Sequence, residues 1–174
     1  MENYIDIQYI TNLINLGYDQ KDSIIQIETL KTKIILLLNT NDVIIYDTVS
    51  TKKNSHHFND KITYIKVHKD KLYLLSGSLL IWINQETFEQ IQAYNLKEKV
   101  YLVSFFDKQN LEIIYVTESN EIKYFAKGLL LKEDTSYNLY RESGVIHKLI
   151  YKNGILLWAT STSLKVFLLS KKKC

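Results

Sequence analysis

The sequence SGVIHKLIYKNGILLWATSTSLKVF, residues 143–167, contains three short apolar segments in a row. Residues 145–151 alternate between apolar and polar side chains, 155–159 are apolar throughout, and 164–167 end in an aromatic residue. Alternation is typical of a strand with one buried face, and a short apolar run fits a strand covered on both faces. Asn153-Gly154, between the first two segments, is typical of a tight hairpin turn. The stretch therefore predicts three consecutive antiparallel strands.

The same three-segment phrase occurs about four times along the chain. Alternating segments open the copies at 24–28, 62–67, 100–105 and 145–151. Apolar runs follow at 34–38, 72–75, 111–116 and 155–159. A third segment then closes each copy with an aromatic residue: Tyr46, Trp82, Phe125 and Phe167. These aromatics are 36, 43 and 42 residues apart, close to the roughly 40–45 residues of a WD-type repeat.

A fourth strand completes the pattern where it can be read. Residues 88–94, FEQIQAY, alternate strictly and predict a half-exposed outer strand. We therefore predict an all-β fold, a WD-type β-propeller that is partial or small, in a single domain over residues 1–174. The predicted blades span residues 21–58, 59–95, 98–141 and 143–174. The alternative, a helical or mixed domain with chance periodicity, is disfavoured because the apolar runs are short and rich in Ile, Val and Tyr.

The number of blades raises a question about closure. Propellers of this class commonly have more than four blades, and the last copy lacks an outer strand of its own, which leaves an open sheet edge. Residues 4–9 are a candidate closing strand that would complete a small ring. We instead expect a fragment, either the N-terminal portion of a longer propeller protein or a shortened gene product.

Composition constrains turns, partners and compartment. With 5 Gly and no Pro, the turns must rely on Asn, Asp, Ser and Lys. The 22 basic and 19 acidic residues are interspersed and give a net charge of only +3, which argues against nucleic acid as a partner. The single Cys174 excludes an internal disulfide, and no signal peptide or apolar run of membrane-spanning length is present. We expect a cytoplasmic protein, or a peripheral one on a membrane.

Motifs for catalysis are missing from the sequence. It has no phosphate-binding Gly-rich loop, nucleophile elbow or kinase loop, and His56-His57 lacks partners at metal-ligand spacing. Acidic pairs such as Glu133-Asp134 are typical of solvated turns. We predict no enzyme activity and no catalytic, cofactor-binding or metal-binding residues. An enzyme on a small propeller would need a cluster of polar side chains that the sequence does not show.

A few residues are candidates for binding or structural roles. Trp82 is the candidate partner-binding residue, because Trp dominates interface hot spots. Trp158 lies inside an apolar run and is predicted to be buried. Asp47 follows Tyr46 and imitates the aromatic-Asp ending of WD repeats, where the acid anchors a turn by accepting backbone N–H bonds. The predicted structural residues are Trp158, Tyr46, Asp47, Phe125 and Phe167.

Residues 143–167 also carry a family resemblance. SGVI at 143–146 resembles the entry to a late propeller blade in the vacuolar protein sorting-associated protein 41 family of the HOPS membrane-tethering complex, and LLWA at 156–159 and LKVF at 164–167 resemble its next two strands. That family normally continues with Asp where this chain has Leu168. Near the N-terminus, YITNLI at 9–14, then residues 24–30, and VIIYDT at 43–48 are similar to the family's opening blade.

The resemblance implies a part in vesicle-mediated protein transport. It suggests a cytosolic module that tethers late endosomes or vesicles to the vacuole or lysosome. It further suggests other tethering subunits, adaptor coats and a Rab-type GTPase as partners, with membrane association only through them. The sequence pattern of the blades is shared with propellers of other assemblies. A scaffold in a coat, ciliary transport or ribosome biogenesis complex is therefore the alternative. No partner-contact residue can be transferred from the family.

Overall fold

The computed structural model of the chain describes residues 23–106, 110–128 and 134–169. All regular secondary structure in these ranges is β-strand, so the prediction of an all-β fold is confirmed. The strands form four antiparallel sheets in which neighbours along the chain are also neighbours in the sheet. The chain divides into two compact units, Met1–Asn59 and Asp60–Cys174. The prediction of one domain stays a prediction, and the candidate closing strand at 4–9 lies outside the described residues.

The first unit contains the first sheet. Its strands are β1 (Ile24–Leu30), β2 (Lys33–Leu38), β3 (Asp42–Asp47) and β4 (Lys53–His57). The predicted apolar run forms β2, in which Ile35 and Leu37 are fully buried and the intervening Leu36 is 6% exposed. Both faces of this strand are therefore covered, as its uninterrupted hydrophobicity predicts.

The second unit contains the other three sheets. The second sheet consists of β5 (Tyr64–His68), β6 (Lys71–Ser76), β7 (Leu79–Ile83) and β8 (Gln90–Asn95). The third sheet consists of β9 (Val100–Phe105), β10 (Glu112–Thr117), β11 (Glu121–Ala126) and β12 (Thr135–Arg141). The fourth sheet has three described strands, β13 (Lys148–Lys152), β14 (Ile155–Ala159) and β15 (Leu164–Leu168).

The third sheet is covered on both faces within the second unit. Ile113 and Tyr115 pack in one cluster with Leu75 and Tyr94 of the second sheet. Residues alternating with them along β10 pack in another cluster with Leu156 of the fourth sheet. Because successive side chains of a strand point to opposite faces, one apolar run supplies both clusters.

The tight turns use residues other than glycine, as the composition predicts. Left-handed backbone conformations occur at nine non-glycine residues of the described ranges: Lys31, Asn41, Thr51, Lys69, Asp70, Phe88, Lys97, Asn120 and Asn153. In the β13–β14 turn, Asn153 and Gly154 have φ of 52° and 83°. The hairpin predicted there is confirmed, because a primed turn requires positive φ at both central residues.

Three predicted strands begin two or three residues later than expected, and the first of them, predicted at 62–67, begins at Tyr64. The strand predicted at 88–94 was wrong at its start, because Phe88 has a φ of 60° and β8 begins at Gln90. The side-chain oxygen of Asn84 accepts hydrogen bonds from the backbone N–H groups of Glu86 and Thr87, and this local turn delays the strand. Val145 likewise precedes β13 and is 57% exposed.

Candidate interaction surface

One face of the fourth sheet is exposed and mostly apolar, and Lys148 and Lys152 of β13 lie beside its apolar residues. Strand alternation and register place six apolar side chains on it, here called the open face: Ile150, Ile155, Leu157, Leu164, Val166 and Leu168. The β15 members are the most exposed, with Leu164 at 71%, Val166 at 60% and Leu168 at 70%. Water-exposed apolar groups in such a contiguous set mark a surface for another protein or sheet.

Within the described residues, no strand pairs with the edge of the fourth sheet beside the open face. β15 bonds to β14 on one side, and no described strand lies on its other side. An edge strand presents unpaired backbone N–H and C=O groups that can bond to an added strand. The fourth sheet therefore combines an apolar face with an available edge.

The opposite face of the fourth sheet is held by a polar contact. The indole N–H of Trp158 donates to Glu142 Oε2 at 2.8 Å, and Lys165 Nζ donates to Glu142 Oε1 at 2.9 Å. Ser143 N donates to the same carboxylate at 3.0 Å. Hydrogen bonds from Lys165 and Trp158 lower the pKa of Glu142 to about 2. The carboxylate therefore stays ionised and links β14, β15 and the chain that enters the sheet.

Sequence reasoning did not find Glu142. A single acid two residues after a tyrosine gives no periodic signal, and its partners lie 16 and 23 residues further on. Trp158, in contrast, lies where an apolar run predicts burial and is 4% exposed. The available signal was the indole itself, because a buried Trp N–H needs an acceptor.

Trp82, the candidate partner-binding residue, does not lie on the open face. It belongs to β7 of the second sheet, is half-buried, and packs against the cluster between the second and third sheets. The ammonium of Lys71 lies 3.9 Å from its ring centroid, a cation–π contact.

The predicted structural residues are distributed over three sheets. Asp47 Oδ1 accepts hydrogen bonds from the backbone N–H of Ser50 at 3.0 Å and of Val49 at 2.9 Å, and these bonds lower the pKa of Asp47. The neighbouring Tyr46 is half-buried and pairs with Ile34 across β2 and β3.

Phe125 and Phe167 close corresponding strands but differ in burial. Phe125 in β11 is 3% exposed, whereas Phe167 in β15 is 43% exposed. The difference follows from the sheets, because β12 pairs with β11 and no described strand pairs with the outer edge of β15. The structural role predicted for both residues stays a prediction.

The histidines and acids form no metal site in the part of the chain that the structure describes. No group of three or more His, Cys, Asp or Glu side chains there could hold an ion. His57 Nδ1 instead lies 3.0 Å from Asp42 Oδ1. The described residues also contain no helix long and apolar enough to cross a membrane.

Comparison with known proteins establishes the fold class. No protein-family model matches the sequence, and no curated protein matches it. Solved structures do match, and they include β-propeller and WD40 domains. Together with the four antiparallel sheets, they confirm the predicted WD-type β-propeller fold of about four blades.

Three of the similar structures illustrate the match. The β-propeller domain of Cps50 (Swd1) from Myceliophteria thermophila has 11% identity and a TM-score of 0.63, over 84% of this chain and 54% of that one. BBS1N in complex with ARL6DN has 9% identity and a TM-score of 0.60, over 84% of this chain and 51% of that one. The WD40 domain of SCAP from fission yeast has 13% identity and a TM-score of 0.58, over 91% of this chain and 44% of that one. This chain thus spans about half of each, and such identities show the fold alone.

Proposed function

We propose that the chain is a non-enzymatic scaffold that binds a β-sheet of a partner subunit through the open face. The observation that carries this proposal is the exposure of Leu164, Val166 and Leu168 at 60–71% on one apolar sheet face. The third sheet buries its equivalent runs against neighbouring sheets on both sides. A partner sheet would continue the same stacking, and apolar area removed from water would drive its binding.

The ionisable groups support a scaffold more than an enzyme. A general acid or base works best with a pKa near the operating pH. Among the described residues, the shifted carboxyl groups of Glu142 and Asp47 have lowered pKa values, and the shifted tyrosines have raised ones. Each of these shifts moves the group away from neutral pH, where it would exchange protons poorly.

The cellular role that we propose is membrane tethering between late endosomes and the vacuole or lysosome. Its support is the resemblance of residues 143–167 to the HOPS subunit family, and these residues contain the whole open face except Leu168. Other tethering subunits and a Rab-type GTPase are the proposed partners, and late-endosomal or vacuolar membranes the proposed location. The structure of BBS1N with ARL6DN supports the general idea that a chain of similar fold binds another protein.

Affinity purification of the tagged chain tests both levels of the proposal. Wild type should recover vacuolar sorting subunits and a late-endosomal GTPase. Val166→Lys should lower that recovery at least about tenfold, because a charge on the open face must be desolvated on binding. Val49→Lys is the matched control, since Val49 is 76% exposed but lies in the first unit.

The outcomes separate the partner from the surface. Undiminished recovery with Val166→Lys contradicts binding through the open face. If wild type recovers subunits of a coat, ciliary transport or ribosome biogenesis complex and Val166→Lys does not, the open face remains the binding surface. The tethering role is then rejected in favour of that complex. If the open face binds a second copy instead, light scattering after size-exclusion chromatography should show a dimer for wild type and a monomer for Val166→Lys.

A further inference from the structure

The side chains on the open face form a regular grid across the three strands of the fourth sheet. Because paired residues of neighbouring strands place their side chains on the same face, the register fixes the grid. It has three rows, each with one residue from β13, β14 and β15: Lys148, Ala159 and Leu164; Ile150, Leu157 and Val166; and Lys152, Ile155 and Leu168. The grid is therefore apolar except for two lysines at its β13 side.

Lys148 and Lys152 are exposed, and neither forms an ion pair within the described residues. They flank Ile150 on β13, which sets their Cα atoms about 13 Å apart along the strand. The opposite face of the same sheet differs, because Lys165 lies 2.8 Å from the carboxylate of Glu142. The three strands contain no acidic residue, so the grid supplies no counter-charge to its two lysines.

A partner sheet that covered the open face would take both lysines out of water together with the apolar residues beside them. Removing a charge from water is costly unless an opposite charge pairs with it. Stacked sheets lie about 10 Å apart, a gap that a lysine and a carboxylate side chain can bridge between them. A partner that carries carboxylates opposite the lysines would therefore bind more favourably than one that is apolar throughout.

The charge also argues against a second copy of this chain on the open face. Two identical grids would each bring two lysines and no carboxylate to the interface. Contact between identical faces would leave every one of these ammonium groups without a counter-charge. An acidic partner of different sequence neutralises them.

We propose that the open face binds a partner strand that has acidic residues at positions 1 and 5 and an apolar residue at position 3. The two carboxylates pair with Lys148 and Lys152, and the apolar residue packs on Ile150. Packed sheets keep their strands within about 30° of each other, so one partner strand can follow β13 over this distance. The pattern is the same in both chain directions. This inference rests on the proposed scaffold function, because it gives the chemistry of the partner that covers the open face.

Variants without the two charges test the pairing. The measured quantity is recovery, by the tagged full chain, of the proteins that wild type binds and Val166→Lys loses. The double variant Lys148→Met with Lys152→Met keeps the apolar stems and should lower this recovery at least about tenfold, because it leaves the partner carboxylates buried without a cation. A partner without acids gives the opposite result, since the variant adds apolar area and breaks no ion pair.

The matched control is the double variant Lys61→Met with Lys97→Met. It removes two exposed charges of the second unit that lie outside the fourth sheet, and it should leave recovery unchanged. Circular dichroism checks that each variant folds.

Zero-length coupling with a carbodiimide locates the carboxylates on the unsubstituted chain, so this measurement does not depend on the folding of a variant. The reagent joins a lysine amine to a carboxylate in direct contact, and mass spectrometry identifies both residues. Lys148 and Lys152 should couple to two acidic residues at positions 1 and 5 of one partner strand. Replacing those two acids by lysine should restore recovery by the charge-reversed chain, Lys148→Glu with Lys152→Glu.

Three results would overturn the proposal. They are unchanged or increased recovery with the double methionine variant, an equal loss with the control variant, and no coupling of either lysine to a partner carboxylate. A dimer of the chain that Val166→Lys dissociates, with no other protein bound, would show a second copy on the open face and also reject the acidic partner.

Val166→Lys separates failure of this proposal from failure of the proposed function. If Val166→Lys loses the bound proteins and the double methionine variant keeps them, the open face is the binding surface and only the acidic partner is rejected. If Val166→Lys keeps everything that wild type recovers, both proposals are rejected.

Discussion

The third and fourth sheets are built from the same three-segment sequence pattern, but they differ in how far neighbouring sheets cover their faces. In β10 of the third sheet, Ile113, Ile114 and Val116 are fully buried. In β14 of the fourth sheet, Leu156 and Trp158 are buried on one face, whereas Ile155 on the other is 40% exposed. An apolar run therefore specifies a strand that can be covered twice, and the number of neighbouring sheets decides whether it is.

The largest expected difference between the two sheets is in core truncation. Ile114→Ala should lower the free energy of unfolding by about 2–5 kcal/mol, because it leaves a cavity in a fully packed cluster. Ile155→Ala occupies the corresponding strand of the fourth sheet and should cost about 1 kcal/mol or less. Urea unfolding followed by tryptophan fluorescence measures both in the second unit, which contains Trp82 and Trp158. Equal losses would show that the open face is covered in solution.

A smaller difference is expected between two glycines, Gly154 in the β13–β14 turn and Gly144, which precedes β13. Gly154 has a φ of 83°, so Gly154→Ala should cost about 1–2 kcal/mol from backbone strain alone. At Gly144 an added methyl group would meet Thr160 at an ordinary 3.9 Å, and Gly144→Ala should change stability by about 0.5 kcal/mol or less. The same urea titration compares them, and a harmless Gly154→Ala would contradict the hairpin geometry.

The Glu142 contact should appear as a dependence on pH. Its pKa is lowered from 4.5 to about 2 in the folded chain, so folding favours the ionised form. The stabilisation is complete above pH 4.5 and is lost progressively as the pH falls towards 2. Urea midpoints at pH 5, 3.5 and 2 should show a steeper fall for wild type than for Glu142→Gln. Glu118→Gln, on an exposed acid 3.9 Å from Lys99, should keep the wild-type slope.

The smallest effect is expected for a charge on the open face. Val166→Lys should change the free energy of unfolding by about 0.5 kcal/mol or less, because Val166 is 60% exposed. A cost of several kcal/mol would mean that the open face is buried in the isolated chain.

Strand positions could be predicted from the sequence because burial on a sheet leaves a periodic trace. The runs 34–38, 72–75, 111–116 and 155–159 all became second strands of their sheets. Starts of strands were less predictable: Phe88 and Val145 are apolar, yet local turn chemistry and connections keep them out of strands.

Polar contacts between distant residues left no such trace. Glu142 bonds to Trp158 and Lys165, which lie 16 and 23 residues further along the chain, so no spacing rule connects them.

The β5–β6 turn leaves room for a more heat-resistant protein. Lys69 and Asp70 both adopt left-handed backbone, which costs about 1–2 kcal/mol for each residue that is not glycine. An engineer seeking a hardier protein would choose Asn-Gly there, as a consensus hairpin does. That exchange would remove one basic and one acidic side chain together, so heat resistance would rise while the net charge of the second unit stayed the same.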